Sequence, residues 1–192
     1  IEESSELDPP SAQRVARRAV ILREIIRHAH APRPTWSKRF LEQHDCWDEA
    51  APSEREVLAR RRRVRRPLLS MRERAWRSWR VEALAVLLWG LGLVEITHRQ
   101  GPTLDLSGSM PATDGEAVTD FIRSAKLRPS SEVRQQCDLL YCIHNGVRSL
   151  SVPRSQITTD LIIDPGVIHE RHYAINWLAG VDADWDDVDT ST

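Results

Sequence analysis

The chain has 192 residues, 41% of them hydrophobic, and a formal net charge of −1. That length supports one sizeable core, most simply a single domain, and the charge gives the whole molecule no pull toward nucleic acid or anionic membranes. The longest uncharged apolar run, Ala83–Val94, is too short to cross a bilayer, so no membrane role is expected.

Residues 1–10 are acidic and end in Pro9-Pro10, a composition expected to be disordered. From Ser11 the spacing of Val15, Ala19, Leu22 and Ile26 predicts a helix, capped by Ser11 and ended by the prolines of "APRP". A shorter helix is expected from Trp36 to Gln43 and a loop over 45–53. Ser53 and Glu56 then have the spacing of a capping box, opening a helix through about Arg66. Pro67 breaks it. The stretch "MRERAWRSWRVEALAVLLWGLGLVEI" follows, amphipathic at first and then apolar on every side. A helix of that pattern belongs at the centre of a core. Gly90 and Gly92 within it would permit a close neighbour or mark the helix end.

A Gly, Pro, Ser and Thr-rich loop spans 99–115, and a short helix is expected from Glu116 to Leu127. The next begins at Ser130 or Ser131 and places Val133, Cys137, Leu140, His144 and Val147 on one face. Residues 151–163 read as irregular, with "QITTDLII" as a possible short strand. Asp164-Pro165 is a start signal, and "IHERHYAINWLAG" a helix ending at Gly180. The predicted fold is all-α: a single helical domain over 11–192 around a central apolar helix, with an acidic C-terminal tail docking on it. Cys46, Cys137 and Cys142 cannot all pair and show no CxxC spacing. This favours a reducing, cytoplasmic location.

Three segments in order carry a resemblance: "SWRVEALAVLLWGLG", "DLLYCIHNGVRSL" after an upstream "SSEV", and "ERHYAINWL" followed by "WDDVDTST". With "AQRVARRAVIL" near the start, the chain resembles the bacterial family named domain of unknown function 4272. The resemblance singles out Trp79, Arg80, Glu82, Trp89 and Gly92 in the first segment. In the second it marks Asp138, Leu139, Tyr141 and His144. In the third it marks Glu170, Arg171, His172, Asn176 and Trp177, then Trp185, Asp186, Asp187, Asp189 and Thr190. The chain departs from the family pattern at Ser191, where an aspartate is usual, and at Cys142, where an arginine is common. The resemblance implies a fold and carries no established chemistry.

Candidate chemistry starts with the histidines. His169 and His172 are three apart, not the four of a zinc-protease helix, and no metal or other cofactor is expected. His144 and His172 lie on apolar stripes, where a hydrogen-bonded core histidine is the ordinary reading. An enzyme built here, hydrolase-like, would use His144, His172, Asp138 and Glu170 facing one pocket, with pairings such as Asp138–His172 or Glu82–His144. The reading preferred over it is a buried polar network, including Arg80, Glu82, Asn176, Asp186 and Asp187, that fixes how helices dock. "GLGLVE" lacks the third glycine and the preceding strand of a dinucleotide fingerprint. The tail lacks the glycine and the glutamate of a calcium loop.

Arg60, Arg61, Arg62 and Arg63 head a basic run that would bind the tail aspartates or a protein partner, or alternatively nucleic acid. Trp36 and Trp47 flank loops as candidate contact residues. With no recognised catalytic constellation, the leading expectation is a protein-binding module, most concretely an immunity-type protein that neutralises a toxin. The hydrolase-like enzyme and the Arg-patch nucleic-acid binder are the alternatives.

Overall fold

The structure is a computed structural model describing residues 8–30, 34–59, 71–97, 106–113, 115–149 and 164–191, the side chains of 29, 30, 34 and 71–78 excepted. Among the described residues it is all-α with no strand, as the periodicity predicts. The helices are α1 (Ala12–His30), α2 (Pro34–Gln43), α3 (Pro52–Ala59), α4 (Met71–Gly90), α5 (Gly115–Ser124), α6 (Ser130–Ser149) and α7 (Pro165–Ala179). The expectations for residues 1–7, for the Arg60–Arg66 run and for 151–163 lie outside the described residues.

The central element is α4, packed between α1 and α7, with α6 on the far side of α7. From Glu82 to Leu91 every residue of this stretch is buried, which is why its sequence shows no polar face. Each large side chain buried here, such as Leu87 or Leu88, contributes about 1.5–3 kcal/mol by leaving water. Ser11 caps α1, its Oγ accepting from the Arg14 amide at 3.2 Å. Val15, Ala19 and Leu22 then lie on one face of α1 and are fully buried.

Gly90 and Gly92 divide the two jobs foreseen for them. A Cβ on Gly90 would lie 2.5 Å from Leu178 Cδ2, so its absence lets α7 approach α4. Gly92 has φ +71° just beyond the helix. There the Gly92 amide bonds the Trp89 carbonyl and the Leu93 amide bonds that of Leu88, a Schellman stop.

The helix α3 begins differently from the predicted box. Glu54, not Glu56, reaches back, accepting from the Ala51 amide at 2.8 Å. Ser53 is taken instead by the tail, its Oγ donating to Asp186 at 2.7 Å. A distant partner has displaced a local capping pattern.

Candidate functional site

The opening of α7 is built as its sequence signals. Asp164 Oδ1 accepts the Gly166 amide at 2.8 Å, Pro165 supplies the first turn, and Gly180 closes the helix at φ +80°. Within it, Glu170, Arg171, His172 and Asn176 are all buried beside Ile168, Ile175 and Trp177. Each of these polar side chains meets a partner on a neighbouring element.

Toward α4 the partners are ionic. Arg80 Nη1 donates to Glu170 Oε2 at 3.2 Å. Arg171 Nε donates to Glu82 Oε2 at 2.9 Å, and its Nη1 to the Thr97 carbonyl at 2.7 Å. The charges cross in opposite senses, cation on α4 in one pair and on α7 in the other. Sliding α7 along α4 would break both pairs and leave buried charge exposed to an apolar wall.

Toward α6 the partners are aromatic and neutral. His144 Nδ1 and His172 Nδ1 stand 2.8 Å apart, with ring planes at 72°. The His169 ring lies 5.7 Å from that of His144, and Tyr141 lies edge-on to His172 at 6.0 Å. His169 is exposed, with Nε2 3.2 Å from Thr190 Oγ1. Asn176 donates through Nδ2 to the Asp189 carbonyl at 2.9 Å and accepts from Cys137 Sγ at 3.4 Å. The C-terminal tail therefore closes one edge of the α6–α7 contact.

The electrostatics follow from this packing. Burial, then the neighbouring His144 and His169, push His172 down to about 4, with Asp189 opposing. His144 is lowered too, by burial first and then by His169 and Arg148. Both imidazoles are held neutral near neutrality, and one shared proton joins them. Two imidazole nitrogens on one zinc would stand about 3.3 Å apart, given bonds of about 2.0–2.1 Å. The observed spacing is that of a hydrogen bond. Among the described residues no group of three or more His, Cys, Asp or Glu side chains is arranged to hold a metal ion. Burial raises Cys137 to about 11 and Cys46 to about 12, so both remain protonated thiols.

Of the four residues expected to face one pocket, His144 and His172 meet. Glu170 is turned to Arg80, and Asp138 is exposed on α6 with no bond to either imidazole among the described residues. Neither Asp138–His172 nor Glu82–His144 forms. Arg80, Glu82 and Asn176 are buried in the pairs given above, while Asp186 is exposed and bonds Ser53, and Asp187 is exposed. Trp36 is 38% exposed, stacked on Phe40 at 4.8 Å, and Trp47 is half-buried with Lys38 Nζ 5.3 Å from its ring. Arg60–Arg63 lie outside the described residues.

Sequence reasoning missed the role of α1. Arg18 is buried, donates through Nη1 to Glu54 Oε2 at 2.5 Å and sits with Cζ 4.9 Å from the Trp185 ring. The signal was present, since Arg18 falls between Val15 and Leu22 on the apolar stripe. Trp185 itself is 2% exposed, edge-on to Tyr173 and Trp177, and its carbonyl accepts the Tyr173 hydroxyl.

No helix of the described residues is long and apolar enough to cross a membrane. Neither a curated protein nor a solved structure matches the chain. The motifs that build the α4–α7 pairs and the tail contacts belong to a recognised sequence family. Residues 1–188 match the family described as Domain of unknown function (DUF4272), and the chain belongs to it.

Proposed function

We propose that this chain is a cytoplasmic protein-binding module, an immunity-type protein that neutralises a toxin being its most concrete form. The observation that carries this reading is the dispersal of the candidate catalytic groups. The two buried imidazoles satisfy each other, Glu170 serves an ion pair, and Asp138 stands apart. A hydrolytic imidazole is oriented by a carboxylate, and among the described residues no carboxylate bonds either ring.

Recognition then falls to the outer surface, where α2 is the best equipped. Trp36 is held flat on Phe40 with the Arg27 guanidinium 4.2 Å from its ring, so little side-chain entropy is lost when a partner covers it. Lys38 and Trp47 lie beside each other at the same end.

Co-expression with the product of the neighbouring gene tests this. A one-to-one complex should form, and Trp36→Ala should weaken it by about thirtyfold, the effect of a central aromatic anchor. Failure of Trp36→Ala and Trp47→Ala to affect the complex would remove this surface. A substrate turnover that requires His144 and His172 would replace the reading with an enzymatic one.

A further inference from the structure

Residues 183–190 are held on α1, α3 and α7 through side-chain contacts. Beyond a single 3-10 turn at Trp185–Asp187 they have no regular structure, and Ala183, Asp184, Asp186 and Asp187 are exposed. Among the described residues no main-chain hydrogen bond joins 182–191 to the main chain of any helix. Side chains grip the carbonyls of the segment instead. Arg14 of α1 and Trp177 of α7 donate to the Ala183 carbonyl, at 3.2 and 3.3 Å. Tyr173 donates to that of Trp185, and Asn176 to that of Asp189 at 2.9 Å. Donors aimed at successive carbonyls hold an extended chain whatever its side chains, and a pocket then supplies selectivity.

That pocket takes Trp185. Its ring stands edge-on to Tyr173 and Trp177 at 5.1 and 5.3 Å, with the Arg18 and Arg80 guanidiniums 4.9 and 6.0 Å from its centre. A tryptophan enclosed by rings and cations is the kind of anchor that dominates recognition. Next to it, Asp186 accepts from the Ser53 amide at 3.1 Å and from its hydroxyl at 2.7 Å. The fit is incomplete. Trp185 Nε1 is buried without an acceptor, and Glu54 Oε1, on the carboxylate that holds Arg18, is buried without a donor. Permanent core packing seldom leaves such groups unmatched. A cavity of about 420 Å³ also stays open beside the tail, lined by Arg18, Asp48, Arg55, Trp185 and Asp187.

We propose that this surface is a peptide-binding groove whose partner is a protein segment carrying a tryptophan followed by carboxylates, the chain's own tail being a tethered stand-in for it. The seated tail defines the chemistry of the occupant. The partner's tryptophan takes the Trp185 seat, its carbonyls take the four donors, and its first carboxylate takes Ser53. The open cavity admits bulk that the tail lacks. A partner must displace a ligand whose effective concentration, on a short linker, is in the millimolar range of about 1 mM or more. The groove is thereby closed to weak binders and open to a segment that makes the unmade bonds. It uses no residue of α2, so loss of the Trp36 surface would leave it standing.

Fluorescence anisotropy of a labelled peptide of residues 181–192, titrated with the full chain, is the test. Wild type should bind it weakly, because its own tail competes, and the Trp185→Ala chain about tenfold or more tightly than that. The same peptide carrying Trp185→Ala, equal in charge, should bind the Trp185→Ala chain about tenfold or more weakly. Asp186 is exposed, so Asp186→Ala decides the matter if Trp185→Ala loses helicity. With the Ser53 bonds gone, that chain should bind the unaltered peptide about fivefold more tightly than wild type. Absence of saturable binding to both variants, equal binding of the two peptides, or equal affinity of wild type and both variants would overturn the proposal. So would a wild-type dimer that the peptide dissociates, since it would give the groove to a second copy.

Discussion

Two Nδ1 atoms 2.8 Å apart can be joined by only one proton, so His144 and His172 cannot both be doubly protonated without breaking their contact. The groups facing them sharpen this. His169 pushes both rings toward the neutral form, Arg148 adds to this at His144, and among the described residues Asp189 opposes it at His172. His172 is lowered from 6.5 to about 4 in the folded chain, so between those values the unfolded chain binds the extra proton. Stability from this group is complete above about pH 6.5, falls as pH drops toward 4, and is flat below. The total is about 3 kcal/mol. His44, also lowered by burial, adds to the same slope, so the wild-type curve alone is not diagnostic. The difference from His172→Gln is. Urea midpoints at pH 7.5 and 4.5 should show the variant about 1–2 kcal/mol less stable at the higher pH, with a flatter decline. An identical decline would mean that the pair is not held neutral.

At the scale of elements, α7 was fully legible, because every device that shapes it is local: an Asp164 cap, Pro165, and Gly180 in the left-handed region. The all-round apolar half of α4 was legible for the same reason. The candidate site was legible only by residue type. Sequence put His172 indoors and offered Glu170 only as a pocket-facing group, and their partners come from α6 and α4, across separations no spacing rule reaches. The end of α2 at Gln43 was read correctly, although Asp45, not glycine, takes the positive φ of 52° just beyond it. Gly92 and Gly180 offer a matched pair that separates backbone strain from packing. Their φ values are +71° and +80°, but a Cβ on Gly92 meets nothing within 4 Å, while on Gly180 it would lie 2.5 Å from the Asp8 carbonyl carbon and 2.6 Å from Pro9 N. Alanine at 92 should therefore cost only the strain, about 1 kcal/mol. Alanine at 180 should cost at least about 2 kcal/mol, since the chain at Asp8-Pro9 must also move. Equal losses in thermal melts would show that the Asp8-Pro9 segment does not rest on α7.

For the molecule as a whole, the question is what holds the C-terminal tail. Its composition suggests charge, with Asp182, Asp184, Asp186, Asp187 and Asp189 set against a chain whose basic groups are nearly all arginine. The contacts point elsewhere. Asp186 accepts from Ser53, Asp182 from the Asp189 amide and Asp189 from Ser191, so these carboxylates order the backbone of the tail and its neighbour. What enters the protein is Trp185, between Tyr173 and Trp177 of α7 and beneath Arg18 of α1, with Val188 buried behind it. Arg14 Nη2 and Trp177 Nε1 both donate to the Ala183 carbonyl just before it. An aromatic plug of this kind bridges α1, α4 and α7 and is insensitive to ionic strength, whereas exposed charge pairs are screened. Trp185→Ala should then cost about 3–5 kcal/mol, a large share of a total in the range of about 5–15 kcal/mol. Raising sodium chloride to about 1 M, where the screening length is about 3 Å, should leave the wild-type urea midpoint nearly unchanged. The opposite pattern, a mild Trp185→Ala variant and a salt-labile wild type, would return the tail to electrostatic docking. If the plug holds the tail, Trp185→Ala should also loosen the α6–α7 edge, because Asp189 and Thr190, which follow Trp185, make the contacts to Asn176 and His169.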